Sequence, residues 1–546
     1  MTDVLALADD LVDVLAEEDP VNELLQGHPG FGHRLGDLDE ATGQRLRRRA
    51  RRIAREAARL DVDGQDRVTC GVLAAEADGV VTRIDARLVE HAMLDLTVSP
   101  VSRLLSVLPT VQLTGPEHEQ DFLARLAGIP RFLAQAAERH REGVAAGRTP
   151  VGRGVRSALE RLDAYLADAD HDPLRKPVLG EAAADGRERL LRDVVRPAFA
   201  TYREVLREEI ARHGRPDDRP GLVWLPGGER TYAALAKMHT TTDRTPEQLH
   251  RTGLDVLARL DDEYREIGSE IFGARTAAEV RDRVRTDPAL RWESAEELLT
   301  AARTAIRRAE QAAPEYFGRL PAHPCEVAPV PADQGPTAAA AFYVPGPLDG
   351  SRGGTYYANT YLATERDRTV SEAVAFHEAV PGHHFQITLA QEMTGLPKLR
   401  KVAGINSYIE GWALYCERLA DEIGLYSGDL ARLGMLAMDS MRAARLVVDT
   451  GLHAFGWSRQ RAVDFLRART VLAEVELQSE VDRYVETPGQ ALSYLVGRLE
   501  IERLRATAER EMGAAFDLRA FHDVVLGGGP LPMNVLSDVV SRWAVS

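Results

Sequence analysis

A chain of 546 residues with 84 acidic against 68 basic side chains, a formal −16, is too acidic for a general nucleic-acid binder, whose affinity comes from neutralised phosphates. With 44% hydrophobic and 28% charged residues it is neither disordered nor fibrous, and a body this long needs no disulfides to fold. Cys70, Cys325 and Cys416 are scattered and form no C-x-x-C pair, which removes a thiolate metal site.

The opening stretch, MTDVLALADDLVDVLAEEDP, is acidic and amphipathic. It lacks the basic n-region and apolar h-region of a secretory signal, and no run of about 18 apolar residues occurs in the chain. These features predict a cytoplasmic location, with no membrane and no nucleic acid among the partners. To about Ile210 the pattern is helical, with apolar residues recurring at three-to-four spacing in 45–60 and 186–210. The basic run Arg47–Arg52 reads as a solvated helix face, helped by Glu56 one turn beyond Arg52.

Residues 213–229 are rich in Pro and Gly and read as a junction. They divide the chain into an N-terminal helical region, 1–212, and a larger region, 213–546, which together form one continuous body around a cleft. Thr245, Pro246 and Gln248 make a capping box with Pro at the first helical position, and a further helix is expected over about 294–312. Residues 325–331, 338–345 and 353–361 are aromatic or β-branched and bounded by Gly and Pro, so they read as strands of a small sheet. Thr369 and Glu372 suggest a second capping box, after which the chain is mainly helical. The expected fold is therefore mainly α: a large, multi-helical, two-lobed body with a small β-sheet (about 325–361) beside the active-site helix.

The chemistry concentrates in 371–386, SEAVAFHEAVPGHHFQ. A zinc hydrolase of the H-E-x-x-H kind places two His one helical turn apart as ligands, with the Glu between them beside the reacting water. Here Pro381 stands where the second His belongs, and His383 and His384 follow His377 by six and seven residues. On a straight helix seven residues return to the same face about 10 Å further along, too far for two imidazoles to reach one ion through bonds of about 2.0–2.1 Å. Pro381 removes a backbone donor and Gly382 permits unusual dihedrals, so a kink there would draw a His back toward His377. Glu410 is the candidate third ligand, because 27 residues after His383 leave room for one helix to end and another to return. Glu417, two turns further on the same face, is either a partner to the ligands or a solvated acid. Tyr356 and Tyr357 read as packing residues. His453, Trp457, Tyr484 and Tyr494 suit core packing and substrate contact equally well.

At these residues the chain resembles a known bacterial family, domain of unknown function 885. The resemblance rests on HEAVPGHHFQ (377–386), EGWALYCERLADEIGLY (410–426), RLVVDTGLHAFGWSR (445–459) and RYVETPGQALSYLVG (483–497), with 225–250 and 349–360 upstream. It runs from about 220 to about 510. The layout is similar to the helical, gluzincin-like zinc metallopeptidases around thimet oligopeptidase, angiotensin-converting enzyme and carboxypeptidase Taq. That resemblance implies His377, His383 and Glu410 as ligands of one Zn2+, with His384 the alternative to His383, and Glu378 as general base. It implies Tyr494, or His453 or Tyr484, as the group that stabilises the oxyanion, and 353–360 as the edge strand that pairs with substrate. The expected activity is hydrolysis of amide bonds in short peptides or peptide-like substrates by water that Glu378 activates beside the metal. Two alternatives are a metal-dependent enzyme acting on a small non-peptide amide or specialised metabolite, and a helical binding protein with a degenerate metal site.

Overall fold

Capping chemistry marks several helix starts in the computed structural model, which describes residues 3–21, 32–94, 98–113, 115–332, 334–335, 338–346 and 352–546. Helix α1 (Val4–Glu18) follows Asp3, whose side chain accepts from Leu5 N–H, and α2 (Glu40–Ala57) follows Asp39, which accepts from Thr42 N–H at 2.7 Å. With α3 (Gly64–Ala86) these helices form a layer whose charged face answers the basic run. Arg47 pairs with Asp85 at 2.7 Å, and Arg49 and Arg52 both reach Asp10. The expected box at Thr245 and Gln248 is formed at the head of α4 (Pro246–Phe272), and α5 covers Ala295–Tyr316.

Three short strands follow: β1 (Glu326–Pro329), β2 (Ala341–Val344) and β3 (Thr355–Ala358). Their order is β1-β3-β2, with β3 parallel to β1 and antiparallel to β2. The expectation that 353–360 is an edge strand is therefore corrected. β3 lies in the centre, with its backbone groups paired on both sides, and β2 is an edge. Asn359 N–H donates to Ala340 C=O at 2.9 Å, so by antiparallel alternation the N–H and C=O of Ala341 and Tyr343 point away from β3.

Helix returns as α6 (Ser371–Glu378), α7 (His383–Glu392) and α8 (Asn406–Glu422). The second capping box is not formed. The helix starts after Val370, and the Glu372 carboxylate instead takes Ser427 N–H and Arg308, each at 2.9 Å. Beyond these lie α9 (Asp429–His453), α10 (Glu474–Glu486) and α11 (Ser493–Met512).

Helices dominate the described residues and the sheet is small, so the fold is mainly α. Among the described residues the buried apolar side chains fall into three clusters. One lies wholly within 21–210, whereas α1–α3 pack instead into a cluster with residues 292–540. The third joins α4, α9 and α10. Helices α6, α8 and α11 each give one face to the first of these large clusters and one to the other: Phe376 against Ala373, Trp412 against Leu414, Ile501 against Leu495. The candidate site sits on these seam helices. Gly411 of α8 and Gly497 of α11 set their spacing, since a Cβ at Gly411 would lie 2.5 Å from the Gly497 backbone and one at Gly497 would run into the Ser407 carbonyl.

Candidate metal centre

The break between α6 and α7 builds the site. The chain leaves α6 at Glu378, passes a cis Val380–Pro381 bond, and re-enters helix at His383. Gly382 lies directly over the carbonyl oxygens of Phe376 and His377, where any Cβ would collide. Trp412 Nε1 donates to Pro381 C=O at 2.9 Å, and Cys416 Sγ lies 3.3 Å from the same oxygen, so α8 clamps the break. The imidazoles of His377 and His383 are thereby brought to a centroid distance of 4.8 Å and stand nearly perpendicular, at 83°.

Glu410 completes the group. Its Oε2 lies 3.5 Å from Nε2 of His377 and 3.5 Å from Nε2 of His383, and one donor atom from each of the three lies within 4.8 Å of the others. Zinc bonds of about 2.0–2.2 Å at a tetrahedral angle put ligand atoms about 3.4 Å apart, so the donor set and its spacing fit a His2Glu centre. The His377 side chain is 4% exposed, His383 11% and Glu410 18%, which leaves the opening on the glutamate side.

Behind the cluster, Glu417 is fully buried and its Oε1 accepts from His377 Nδ1 at 2.8 Å. This carboxylate holds the tautomer that turns Nε2 toward Glu410. The Gln386 amide lies one turn beyond His383, 2.9 Å from its Nδ1, and donates to Ile409 C=O at 2.8 Å. Burial alone would discharge His377, but its hydrogen bonds to Glu410 and Glu417 outweigh burial and push the imidazole up to about 9. Burial likewise opposes ionisation of Glu410, yet the two imidazoles hold its carboxyl well below the usual range.

Glu378, next to His377, points to the sheet. Its Oε2 accepts from the outward-facing N–H of Tyr343 in β2 at 3.1 Å, so the carboxylate adjoins a sheet edge that no further strand covers among the described residues. Burial, and after it the charge of Glu410, raises the phenol of Tyr494 at the head of α11 above the ordinary value.

The remaining expected residues lie elsewhere. His384, one position after His383, is rotated about 100° around the helix. Its Nδ1 meets Tyr343 Oη at 3.1 Å and its Nε2 donates to His323 C=O at 3.1 Å, which makes it an anchor for the sheet rather than a member of the cluster. His453 is fully buried and stacks on Tyr232, with Nδ1 accepting from Leu222 N–H at 3.1 Å and Nε2 donating to Tyr484 C=O at 2.9 Å. With both ring nitrogens engaged in the core, and burial pushing its imidazole down to about 4, His453 has no donor left for substrate. The Tyr484 hydroxyl is equally engaged, with Glu480 and with Arg445 at 3.0 Å. Trp457 packs against Gly451, and Tyr356 is buried in the sheet. Tyr343 and Gln386 were missed as supporting residues; the i,i+3 spacing of His383 and Gln386 was the one available signal.

The comparisons agree with this architecture. The chain belongs to the family described as bacterial protein of unknown function, DUF885, which matches residues 20–540. No curated protein matches it in sequence. A solved structure from Colwellia psychrerythraea, described as a "putative lipoprotein", is similar at 26% identity and a TM-score of 0.90, with 100% of both chains covered. A second, from Shewanella oneidensis, described as a "putative lipoprotein of unknown function", shares the fold at 17% identity and a TM-score of 0.77, with 98% of this chain and 99% of that one covered.

These descriptions overturn the cytoplasmic expectation, because a lipoprotein is held at a membrane by acyl chains. That expectation rested on an acidic opening stretch and on unpaired cysteines. Neither reports compartment: Cys70, Cys325 and Cys416 are free because a core of this size needs no bridges in any location. Among the described residues no helix is long and apolar enough to cross a membrane.

Proposed function

We propose that this DUF885 member is a metal-dependent hydrolase of amide bonds in short peptides or peptide-like substrates, acting outside the cytoplasm. The observation that carries the reading is the convergence of His377, His383 and Glu410 beside Glu378 and the free edge of β2. The reading draws on the resemblance of the sequence motifs to helical zinc peptidases, with the H-E-x-x-H spacing here lengthened by two residues and the helix broken and re-closed over Gly382. A divalent cation such as zinc, held by His377, His383 and Glu410, supplies a Lewis acid that polarises a carbonyl and acidifies water.

The chain's own residues account for the other steps. An extended substrate adds to β2 through the outward C=O of Tyr343 and the N–H and C=O of Ala341, as peptides pair with sheet edges elsewhere. Glu378, fixed through one oxygen by Tyr343 N–H, takes the proton of the attacking water and passes it to the leaving amine. The Tyr494 hydroxyl donates to the oxyanion that develops on the substrate.

Elemental analysis of protein purified without chelator, paired with digestion of a short-peptide library before and after chelation, tests the reading. One equivalent of zinc and cleavage abolished by chelation and by Glu378→Gln support it. Absence of bound metal, or cleavage unaffected by Glu378→Gln, refutes it.

A further inference from the structure

The carboxylate that steadies His377 has a second cation at its side. Glu417, on α8, has no exposed surface, and its Oε1 accepts from His377 Nδ1 at 2.8 Å. Nη2 of Arg442, on α9, lies 3.8 Å from the same oxygen. Among the described residues these are the only two basic groups within ion-pair distance of Glu417, whose Oε2 is buried without a hydrogen bond. Arg442 depends on Glu417 to the same degree. It is 4% exposed, and among the described residues Glu417 is the only carboxylate within ion-pair distance of it. Its Nε is buried without a partner, and its Nη1 reaches only Met438 of its own helix. Asp439, the acid one turn before it on α9, is taken by Arg418 and Arg498.

Charge decides what this pair is for. A carboxylate held out of water needs a cation beside it, and removing that partner leaves a costly lone charge. An imidazole that ligates an ion does so in its neutral form. With a metal in place His377 therefore still donates its Nδ1–H to Glu417, but it does not offset the charge. Arg442 is the group left to do so, and attraction across 3.8 Å is stronger in a water-free interior than in solvent. The guanidinium is confined in turn by the Tyr494 ring of α11, whose centroid lies 5.8 Å from it.

We propose that Arg442 is a positioning residue of the metal centre, acting through Glu417 to keep His377 Nδ1–H engaged and its Nε2 aimed at the ion. The chain Arg442–Glu417–His377 runs from α9 through α8 to α6, so the packing of three helices sets the direction of one ligand. The inference rests on the metal-binding part of the hydrolase reading and on no particular substrate.

The test is a double-substitution cycle read by zinc affinity, in competition with a chromophoric chelator. Arg442→Gln is expected to weaken zinc binding about tenfold, within the range set by the supporting partners of metal-bound histidines. In the Glu417→Gln background the same change is expected to cost less than about twofold, because no carboxylate charge remains to be balanced. Arg442→Lys, which keeps the cation, is expected to recover most of the loss. Equal losses from Arg442→Gln in both backgrounds overturn the proposal, and a variant that merely loosens the core would give that result. So does an Arg442→Gln protein that binds zinc as tightly as the unsubstituted one, or a lysine variant as weak as the glutamine one. Cleavage of short peptides, followed in parallel, separates this inference from the hydrolase reading. Zinc affinity that depends on Arg442 through Glu417, in a protein that cleaves no peptide, sinks the hydrolase and leaves the positioning role standing. Chelator-sensitive cleavage with zinc affinity indifferent to Arg442 does the reverse. A protein that takes up no zinc sinks both.

Discussion

Glu417 accepts the Nδ1 proton of His377 across 2.8 Å from a position with no exposed surface, and by doing so decides which imidazole nitrogen faces Glu410. A ligand held this way keeps its Nε2 lone pair directed at the ion, and the loss of such a supporting carboxylate costs about 10- to 100-fold in metal affinity. Glu417→Gln is expected to weaken zinc binding by that factor, measured by competition with a chromophoric chelator. Unchanged affinity would show that the pair is only a core contact.

The same hydrogen bonds give the metal-free protein a pH signature. With its folded pKa at about 9, against about 6.5 for a free imidazole, His377 is protonated through the neutral range. A raised folded pKa stabilises the folded state fully below pH 6.5, and that contribution is lost as pH rises through about 9. The melting temperature of metal-free protein should therefore fall between pH 7 and 9.5. Zinc must displace this proton, so binding at pH 7.5 releases about one proton from His377, and apparent affinity climbs roughly tenfold per pH unit up to about pH 9. Calorimetry in buffers of differing ionisation enthalpy reads the proton count directly; a count of zero contradicts the assignment.

Gly382 yields the sharpest steric prediction. Its Cα rests on the carbonyls of Phe376 and His377, and that contact pulls His383 back by the two residues that separate this motif from an ordinary H-E-x-x-H. Gly382→Ala must push α7 away from α6. The expected cost is about 1–3 kcal/mol of stability, as for other overpacked sites, together with loss of stoichiometric zinc binding. Gly404→Ala, where a Cβ meets nothing within 4 Å, serves as the control and should change neither.

The strands at 325–331, 338–345 and 353–361 were legible because Gly and Pro bound short β-branched and aromatic runs, and the structure places β1, β2 and β3 inside those windows. The order of the strands was not legible, since period-2 patterning says nothing of which strand lies in the middle; the substrate edge was accordingly assigned to β3 instead of β2. Spacing likewise pointed to His377, to one of His383 and His384, and to Glu410, because a helix breaker after His377 must fold the following turn back; the preference for His383 over His384 came from the resemblance alone. Spacing could not separate Tyr494 from Tyr484, or expose His453 as a core residue. Those distinctions depend on partners such as Leu222 and Glu480 that lie far away in sequence or across a helix.

Tyr494, Tyr484 and His453 therefore make a discriminating set. Tyr494 feels the charge of Glu410, whereas the Tyr484 hydroxyl is bonded to Glu480 and Arg445, and both His453 nitrogens are bonded to backbone. Removing one oxyanion donor typically costs about 10²–10³ in kcat with little change in binding. Tyr494→Phe is expected to show that loss with zinc affinity unchanged and only a small change in melting temperature, since its hydroxyl interacts with the half-buried Gln490 side chain. Tyr484→Phe leaves Glu480 and Arg445 short of a partner and should lower stability by about 1–3 kcal/mol instead. His453→Ala should be worse, since it also opens a cavity against Tyr232. Parallel measurement of kcat and thermal unfolding on the three variants separates the roles. A kcat loss in Tyr484→Phe larger than that in Tyr494→Phe would move the oxyanion donor out of α11 and into the core behind it.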